Sequence, residues 1–201
     1  MLSLTERCAN YARVFPAWPA PFVGKDGRIQ GVWLLGQNYR STQSYYGEYP
    51  PNYLKRVFAL FPDIQNPQQI LHLFSGVVSE QGITFDIDLC SQLHPDITGD
   101  AHAVSSYFKL NSIMLILADP PYSKEDANHY GTPMINRNKV VKECYKILKP
   151  TGFLCWLDQV FPMYRKDQFD LIGVIGVIRS TNHRVRCLFI FQKLAEAYSS
   201  N

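Results

Sequence analysis

Four consecutive residues near the middle of the chain carry the groups that a reaction on an aromatic amine needs: Asp119, Pro120, Pro121 and Tyr122. The carboxylate of Asp119 and the carbonyl of Pro120 only accept hydrogen bonds, so together they can take both hydrogens of an exocyclic NH₂ group. The ring of Tyr122 can stack on the aromatic ring that bears this group. The tetrapeptide therefore predicts a site for a planar amino group. A proline strand terminator with a packed tyrosine would use the same residue types.

The elements around this tetrapeptide alternate between strands and helices. Apolar runs predict strands at residues 70–74, 82–88, 96–100, 112–118 and 153–157, and apolar spacing predicts helices at 52–61 and 136–148. Two more apolar runs, 171–178 and 185–191, are separated by a short polar stretch and predict a terminal hairpin. This pattern predicts an α/β fold with a mostly parallel sheet and a C-terminal antiparallel hairpin.

Polar residues follow several of these strands. Ligands of parallel sheets bind beyond the carboxyl ends of the strands, near the point where the strand order reverses. The candidate strand-end residues are Ser75, Gly76, Asp86, Asp88, Asp100 and Asp119 to Tyr122.

Residues 1–51 are rich in Pro, Gly and Tyr and predict an irregular N-terminal arm with a few short elements, packed on a catalytic domain of residues 52–201. The aromatic residues of this region, Tyr39, Tyr45, Tyr46, Tyr49 and Tyr53, lie near Lys25, Arg28 and Arg40 in sequence. These rings could stack nucleobases, or they could cover one face of the sheet.

The composition restricts the class of protein without deciding its function. A net charge of +3 and a pI near 8.5 permit a polyanionic partner but do not require one. The five cysteines are scattered and form no Cys-x-x-Cys pair, so neither a disulfide framework nor a metal site is expected. No apolar run approaches the length of a membrane span, and we expect a cytoplasmic protein without membrane contact.

The motifs and their order resemble the class I S-adenosylmethionine-dependent methyltransferases. Within that class they are most similar to the DPPY-type amino-methyltransferases, which modify adenine N6 or cytosine N4. The resemblance covers residues 52–194, and 119–122 match the catalytic motif. It implies a Rossmann-like fold with a seven-stranded, mostly parallel sheet, and S-adenosyl-L-methionine as cofactor.

The resemblance also implies which residues bind the cofactor. Residues 70–76 look like the first cofactor motif, Asp86 looks like the acid that binds the ribose, and Gly99 to Ala101 look like the motif facing the cofactor's adenine. The implied cofactor residues are His72, Phe74, Ser75, Gly76, Asp86, Asp88 as its substitute, Asp100 and Ala101. His72 stands where the family has an aspartate, and Val77 and Val78 stand where a second glycine is expected. His72 is equally well interpreted as a core histidine.

The expected function is methyl transfer to an exocyclic amino group of a nucleobase, foremost adenine N6 in DNA, with Tyr122 as the stacking platform. RNA or a free nucleotide is the alternative substrate, and a non-catalytic binding module is the alternative class. The partner is therefore nucleic acid, with DNA favoured over RNA and the oligomeric state left open. The basic run from Arg137 to Lys149 could follow a phosphate backbone or be a solvated helix face, and residues 123–133 could form a substrate lid.

Overall fold

The computed structural model describes residues 1–36, 49–78, 80–87, 94–129, 131–179 and 185–195. In these ranges the α-helices are α1 (Leu4–Val14), α2 (Tyr53–Leu60), α3 (Lys124–His129) and α4 (Arg137–Ile147), and short 3-10 helices span Pro67–Gln69 and Ala101–Ser106. The strands are β1 (Phe22–Val23), β2 (Ile29–Leu35), β3 (Ile70–Leu73), β4 (Ile83–Asp86), β5 (Ile97–Thr98), β6 (Ile113–Ala118), β7 (Leu148–Asp158), β8 (Phe169–Arg179) and β9 (Val185–Lys193).

All nine strands form one mixed sheet in the order β1-β2-β8-β9-β7-β6-β3-β4-β5. The chain runs from β3 outward through β4 to β5, and then returns to place β6 and β7 on the other side of β3. These five strands are parallel, whereas β9 is antiparallel to both β7 and β8. The topological switch point therefore lies between β3 and β6, where a ligand crevice is expected.

The α/β class and the terminal hairpin agree with the sequence analysis, but the sheet has nine strands rather than seven. The additional strands come from the N-terminal segment, which was predicted to be irregular. Its described part forms α1, which a capping box between Ser3 and Glu6 starts, and β2, which pairs in parallel with β8. The region that the sequence assigned to an arm thus contributes strands to the main sheet.

Each face of the sheet packs against different helices. Alternate residues of β6 point to opposite faces: Leu115 and Leu117 join the core beneath α1 and α2, and Ile116 joins the core beneath α4. Both cores contain fully buried strand residues, so β6 is covered on both sides. Its carboxyl end is consequently held in the middle of the molecule.

The connection from β3 to β4 is unusually short. Parallel neighbours normally need a crossover of about a dozen residues or more, usually with a helix. Here residues 74–82 make the connection, and their described positions include no helix. Three of these residues, Phe74, Gly76 and Gly82, adopt positive φ angles of 60°, 53° and 139°. The tight reversal is therefore made by left-handed backbone rather than by a helix.

No helix in the described ranges combines the length and apolar character needed to cross a bilayer.

Candidate active site

The carboxyl end of β6 carries the predicted catalytic tetrapeptide. The Asp119 backbone N–H donates to the Leu73 carbonyl at 3.4 Å, which joins the ends of β6 and β3 at the switch point. The Tyr122 hydroxyl turns back and donates a short hydrogen bond to Asp119 Oδ1. Pro120 is buried, and no described residue donates a hydrogen bond to its carbonyl. The tetrapeptide thus forms a closed turn with a carboxylate, an unused carbonyl and an aromatic ring around one point.

Several charges act on the Asp119 carboxylate. Burial raises its pKa from 3.8 to about 6, and the charge of Asp158 acts in the same direction. Arg186, Arg179 and the hydrogen bond from Tyr122 oppose this rise. At neutral pH most of the molecules therefore hold an ionised Asp119, which is the form that accepts hydrogen bonds from an amino group.

The phenol of Tyr122 contacts a cation on one side of its ring. The Arg186 guanidinium carbon lies 4.5 Å from the Tyr122 ring centroid, in a cation–π contact. Because this contact covers one face of the ring, a substrate ring can stack only on the opposite face. Burial, together with the charge of Asp119, raises the pKa of Tyr122 well above its ordinary value, so the phenol stays protonated.

A buried carboxylate at the end of β7 is linked to the tetrapeptide through an arginine. Asp158 is fully buried and accepts hydrogen bonds from Arg137 Nε at 2.7 Å, from Arg137 Nη2 at 3.2 Å and from Trp156 Nε1 at 3.0 Å. The backbone N–H groups of Gln159 and Val160 donate to it as well. Arg137 Nη2 also donates to the Tyr122 carbonyl at 3.1 Å. The Arg137 side chain is therefore turned toward Asp158 and the Tyr122 carbonyl, and it does not belong to a helix face that could follow a phosphate backbone.

Sequence reasoning did not select Asp158 or Arg186. Asp158 is the last residue of β7, so the strand-end rule that selected Asp86 and Asp119 would have found it if the strand had been extended by one residue. Arg186 has no comparable signal, because a strand arginine looks solvent-exposed in sequence. In the structure its residue exposure is only 8%.

The predicted cofactor residues lie around the ends of β3 and β4. The Gly76 N–H donates to Asp86 Oδ2 at 2.8 Å, and the Gly99 N–H donates to the Asp86 carbonyl at 2.9 Å, so Asp86 links the ends of β3, β4 and β5. The Ser75 side chain is fully buried, and its hydroxyl has no hydrogen-bond partner among the described residues. Phe74 packs edge-on against Trp156, with centroids 6.5 Å apart.

The remaining predicted cofactor residues have structural contacts of their own. Asp100 caps the 3-10 helix that begins at Ala101, accepting from the His102 N–H at 2.8 Å and contacting His102 Nδ1 at 2.7 Å. Ala101 is buried in the core beneath α4. Asp88 lies outside the described residues.

His72 lies in the core beneath α2. It is fully buried, its Nε2 is 2.9 Å from the Gln81 carbonyl, and its ring contacts Tyr49 and Phe58 edge-on. Burial lowers the pKa of its imidazole, so the ring is neutral at pH 7 and Nε2 donates to that carbonyl. Its Nδ1 atom has no partner among the described residues.

The aromatic residues of the N-terminal arm and the segment after the tetrapeptide have different outcomes. Tyr53 is 1% exposed and stacks on Tyr49 with centroids 5.5 Å apart, so its ring covers the sheet and is not available to a nucleobase. Tyr39, Tyr45, Tyr46 and Arg40 lie outside the described residues. Residues 124–129 form α3, which starts directly after the tetrapeptide with a Ser123–Asp126 cap. Among the described residues no group of three or more His, Cys, Asp and Glu side chains is placed to hold a metal ion.

No protein-family model matches the sequence, and no curated protein matches it either. Among solved structures the chain is similar to TrmN from Thermus thermophilus, with a TM-score of 0.48 and 16% identity over 70% of this chain and 48% of that one. It is also similar to a Haemophilus influenzae protein described as a putative methylase, with a TM-score of 0.42 and 13% identity over 70% of this chain and 87% of that one. The chain thus spans about half the length of TrmN. Its function is inferred from its own topology and site geometry.

Proposed function

We propose that the protein is an S-adenosylmethionine-dependent methyltransferase that acts on the exocyclic amino group of a nucleobase, foremost adenine N6 in DNA. The observation that carries this proposal is the turn at residues 119–122. It presents Asp119 and the Pro120 carbonyl at the carboxyl end of the most central parallel strands, beside the switch point of the sheet. A DPPY-type assignment, to which the sequence also points, is part of the same proposal.

The amino group is the chemically demanding partner, because its lone pair is delocalised into the aromatic ring. Two acceptors that engage its hydrogens localise this lone pair and fix the direction in which the nitrogen attacks. Asp119 and the Pro120 carbonyl would supply these acceptors, and the face of Tyr122 opposite Arg186 would support the ring. As the nitrogen gains its new bond it loses a proton, which Asp119, with a pKa of about 6, can receive and pass to water.

The residues at the ends of β3 and β4 suit the cofactor. A buried serine hydroxyl without a partner is costly unless a ligand completes its hydrogen bonds, and the Ser75 hydroxyl has none among the described residues. Ser75 and Gly76 would hold the amino-acid part of the cofactor, and the Asp86 carboxylate would accept from its ribose hydroxyls. When bound, S-adenosylmethionine supplies a methyl group on a positively charged sulfur, which keeps the electron pair of the broken carbon–sulfur bond.

A binding module without methyl transfer is the second candidate, and the short β3–β4 connection favours it. The described residues between β3 and β4 include no helix and so offer no helix N-terminus to support the cofactor, and the Gly76 N–H is already bonded to Asp86. Methyl transfer to RNA or to a nucleotide uses the same groups on a different substrate.

The deciding experiment incubates the protein with methyl-labelled cofactor and separate pools of DNA, RNA and nucleotides. Asp119→Asn keeps an acceptor for Tyr122 but removes the charge, and we expect it to abolish labelling. Asp167→Asn is the matched control, because Asp167 is 62% exposed and pairs only with the exposed Arg165. If only RNA or only nucleotide is labelled, that molecule is the substrate and DNA is not. If no pool is labelled although calorimetry detects binding of the cofactor or of nucleic acid, the protein is a binding module without methyl transfer.

A further inference from the structure

A nearly buried arginine beside the tetrapeptide has unused hydrogen-bonding capacity. Arg186, the second residue of β9, is 8% exposed, and its Nε has no hydrogen-bond partner among the described residues. No carboxylate in the described part of the chain lies within ion-pair distance of it. Its guanidinium carbon lies 4.5 Å from the ring centroid of Tyr122.

We propose that Arg186 binds a phosphate oxygen of the substrate nucleotide while Tyr122 stacks on the base. This inference rests on the proposed function and specifies its substrate: a phosphorylated nucleotide or a nucleic acid, not a free base or nucleoside. A guanidinium that is withdrawn from water and lacks acceptors destabilises the protein unless a ligand supplies them. The planar fork of arginine matches phosphate oxygens, which it can bind through two parallel hydrogen bonds.

The position of Arg186 selects phosphate over the edge of the base. Because Arg186 covers one face of Tyr122, the base stacks on the other face, and the phenol ring separates the two. A base stacked on that face therefore lies across the phenol ring from the guanidinium donors. The part of a nucleotide that can reach around the ring to them is the sugar-phosphate.

A second arginine lies at the same edge of the sheet. Val177 pairs with Arg186 in the β8–β9 ladder, and Arg179 follows Val177 by two residues, so Arg179 and Arg186 lie on the same face. The charges of both arginines also act to lower the pKa of Asp119. Two cations at this edge favour an anionic ligand over a neutral one.

The test compares adenosine with adenosine 5′-monophosphate in equilibrium calorimetry, so it does not depend on catalysis. We expect the wild-type protein to bind the monophosphate about tenfold or more tightly than adenosine. Arg186→Gln should remove this preference. Arg165→Gln, at a 62% exposed arginine, is the matched control and should retain the preference.

Equal wild-type affinities for the two ligands overturn the proposal without any variant, as does a preference that survives in Arg186→Gln. Arg186→Lys serves if the glutamine variant does not fold: it keeps the charge but loses the planar fork, and a reduced preference supports the site. A phosphate preference that depends on Arg186, in a protein that labels no substrate, supports the site and refutes methyl transfer. If the methyl group is transferred to adenosine and to its monophosphate with equal kcat/KM, methyl transfer is supported and the phosphate site at Arg186 is refuted.

Discussion

At the scale of single residues, the site depends on the ionisation of Asp119. Burial raises its pKa to about 6, and in the proposed reaction only the carboxylate form can take up the proton that the amino group loses. We therefore expect kcat to fall as the pH drops through about 6 and to level off above it. Pre-steady-state methyl transfer measured from pH 5 to pH 8 tests this expectation. A rate that is flat down to about pH 4.5 would contradict it.

The same shift predicts how Asp119 affects stability. Its pKa in the folded state exceeds the ordinary value of 3.8, so the folded state binds the proton more tightly than the unfolded state does. Asp119 consequently costs stability as the pH rises from about 4 to about 6, and this cost remains above pH 6. Asp119→Asn removes this cost, because an asparagine does not ionise. We expect the inactive variant to gain about 1 kcal/mol in free energy of unfolding at pH 7.5, and to gain nothing at pH 4.

Tyr122→Phe separates the hydroxyl of Tyr122 from its ring. The change removes the hydrogen bond to Asp119 but retains the stacking surface and the contact with Arg186. Because a donated hydrogen bond stabilises the carboxylate, its loss should raise the pKa of Asp119 and move the acid limb of the rate profile upward by about 0.5 to 1 pH unit. Tyr164→Phe, outside the site, should leave the limb in place. An unmoved limb in Tyr122→Phe would show that the hydroxyl does not control the ionisation of Asp119.

The residue types of the tetrapeptide could be predicted from sequence because they are contiguous. The groups that tune them could not, since they come from different strands. Arg186 reaches Tyr122 only after β9 has been placed between β7 and β8, and nothing local in its sequence specifies that position.

At the scale of elements, α4 and β7 are joined by Arg137 and Asp158. Asp158→Asn removes the charge that the partly buried Arg137 faces, and it weakens the hydrogen bonds that position the Tyr122 carbonyl. Breaking such a pair costs about 3 kcal/mol, because a buried charge loses its partner. We expect this loss in chemical denaturation, together with a lower kcat. Asp167→Asn should change stability by less than about 0.5 kcal/mol.

The short β3–β4 connection depends on Gly82. Its φ is 139°, and an added Cβ would lie 2.7 Å from His72 Cδ2 and 2.8 Å from His72 Nε2. Gly82→Ala should therefore displace the buried histidine and cost about 2 kcal/mol or more. Gly36→Ala is the control, since among the described residues no atom apart from its chain neighbours lies within 4 Å of its added Cβ. Equal unfolding midpoints for the two variants would contradict this account of the turn.

Helices and strands could be predicted where a long apolar run marks them, but not where the buried residues are polar or charged. The strands near 70–74 and 112–118 lie where the sequence predicts them. Helix α1 was missed because its sequence is polar and its buried residues include Arg7, whose guanidinium pairs with Asp63 at 2.7 Å. The capping box at Ser3 and Glu6 is the signal that could have found it.

At the scale of the whole molecule, the N-terminal segment extends the sheet beyond β8 through β2 and β1. On β2, Trp33 packs into the core beneath α1 and α2, and Val32 and Leu34 on the opposite face are 54% and 61% exposed. The composition could not reveal this arrangement, because the glycines and prolines of the segment indicate irregular structure. The residues of this segment are thus used for packing as well as for any contact with a substrate.

The charge distribution would limit how tightly the protein binds the proposed nucleic acid. The net charge is +3, Arg137 is committed to Asp158, and Lys146 pairs with Glu143, whereas Lys139 and Lys142 on α4 are exposed. Each phosphate contact on duplex DNA contributes about −0.9 to the slope of log affinity against log salt. With Arg186 and these two lysines, we expect a slope between about −1 and −3.

Fluorescence anisotropy with a labelled 12-base-pair duplex, measured from 50 to 200 mM salt, gives this slope directly. Arg186→Gln should make the slope shallower by about one phosphate contact, and Lys142→Gln should do the same if α4 follows the backbone. Arg165→Gln should leave it unchanged. A wild-type slope steeper than about −5 would contradict the expectation, because it requires more phosphate contacts than these three cations can make. A shallow slope that Arg186→Gln leaves unaltered would place the phosphate contacts elsewhere on the surface.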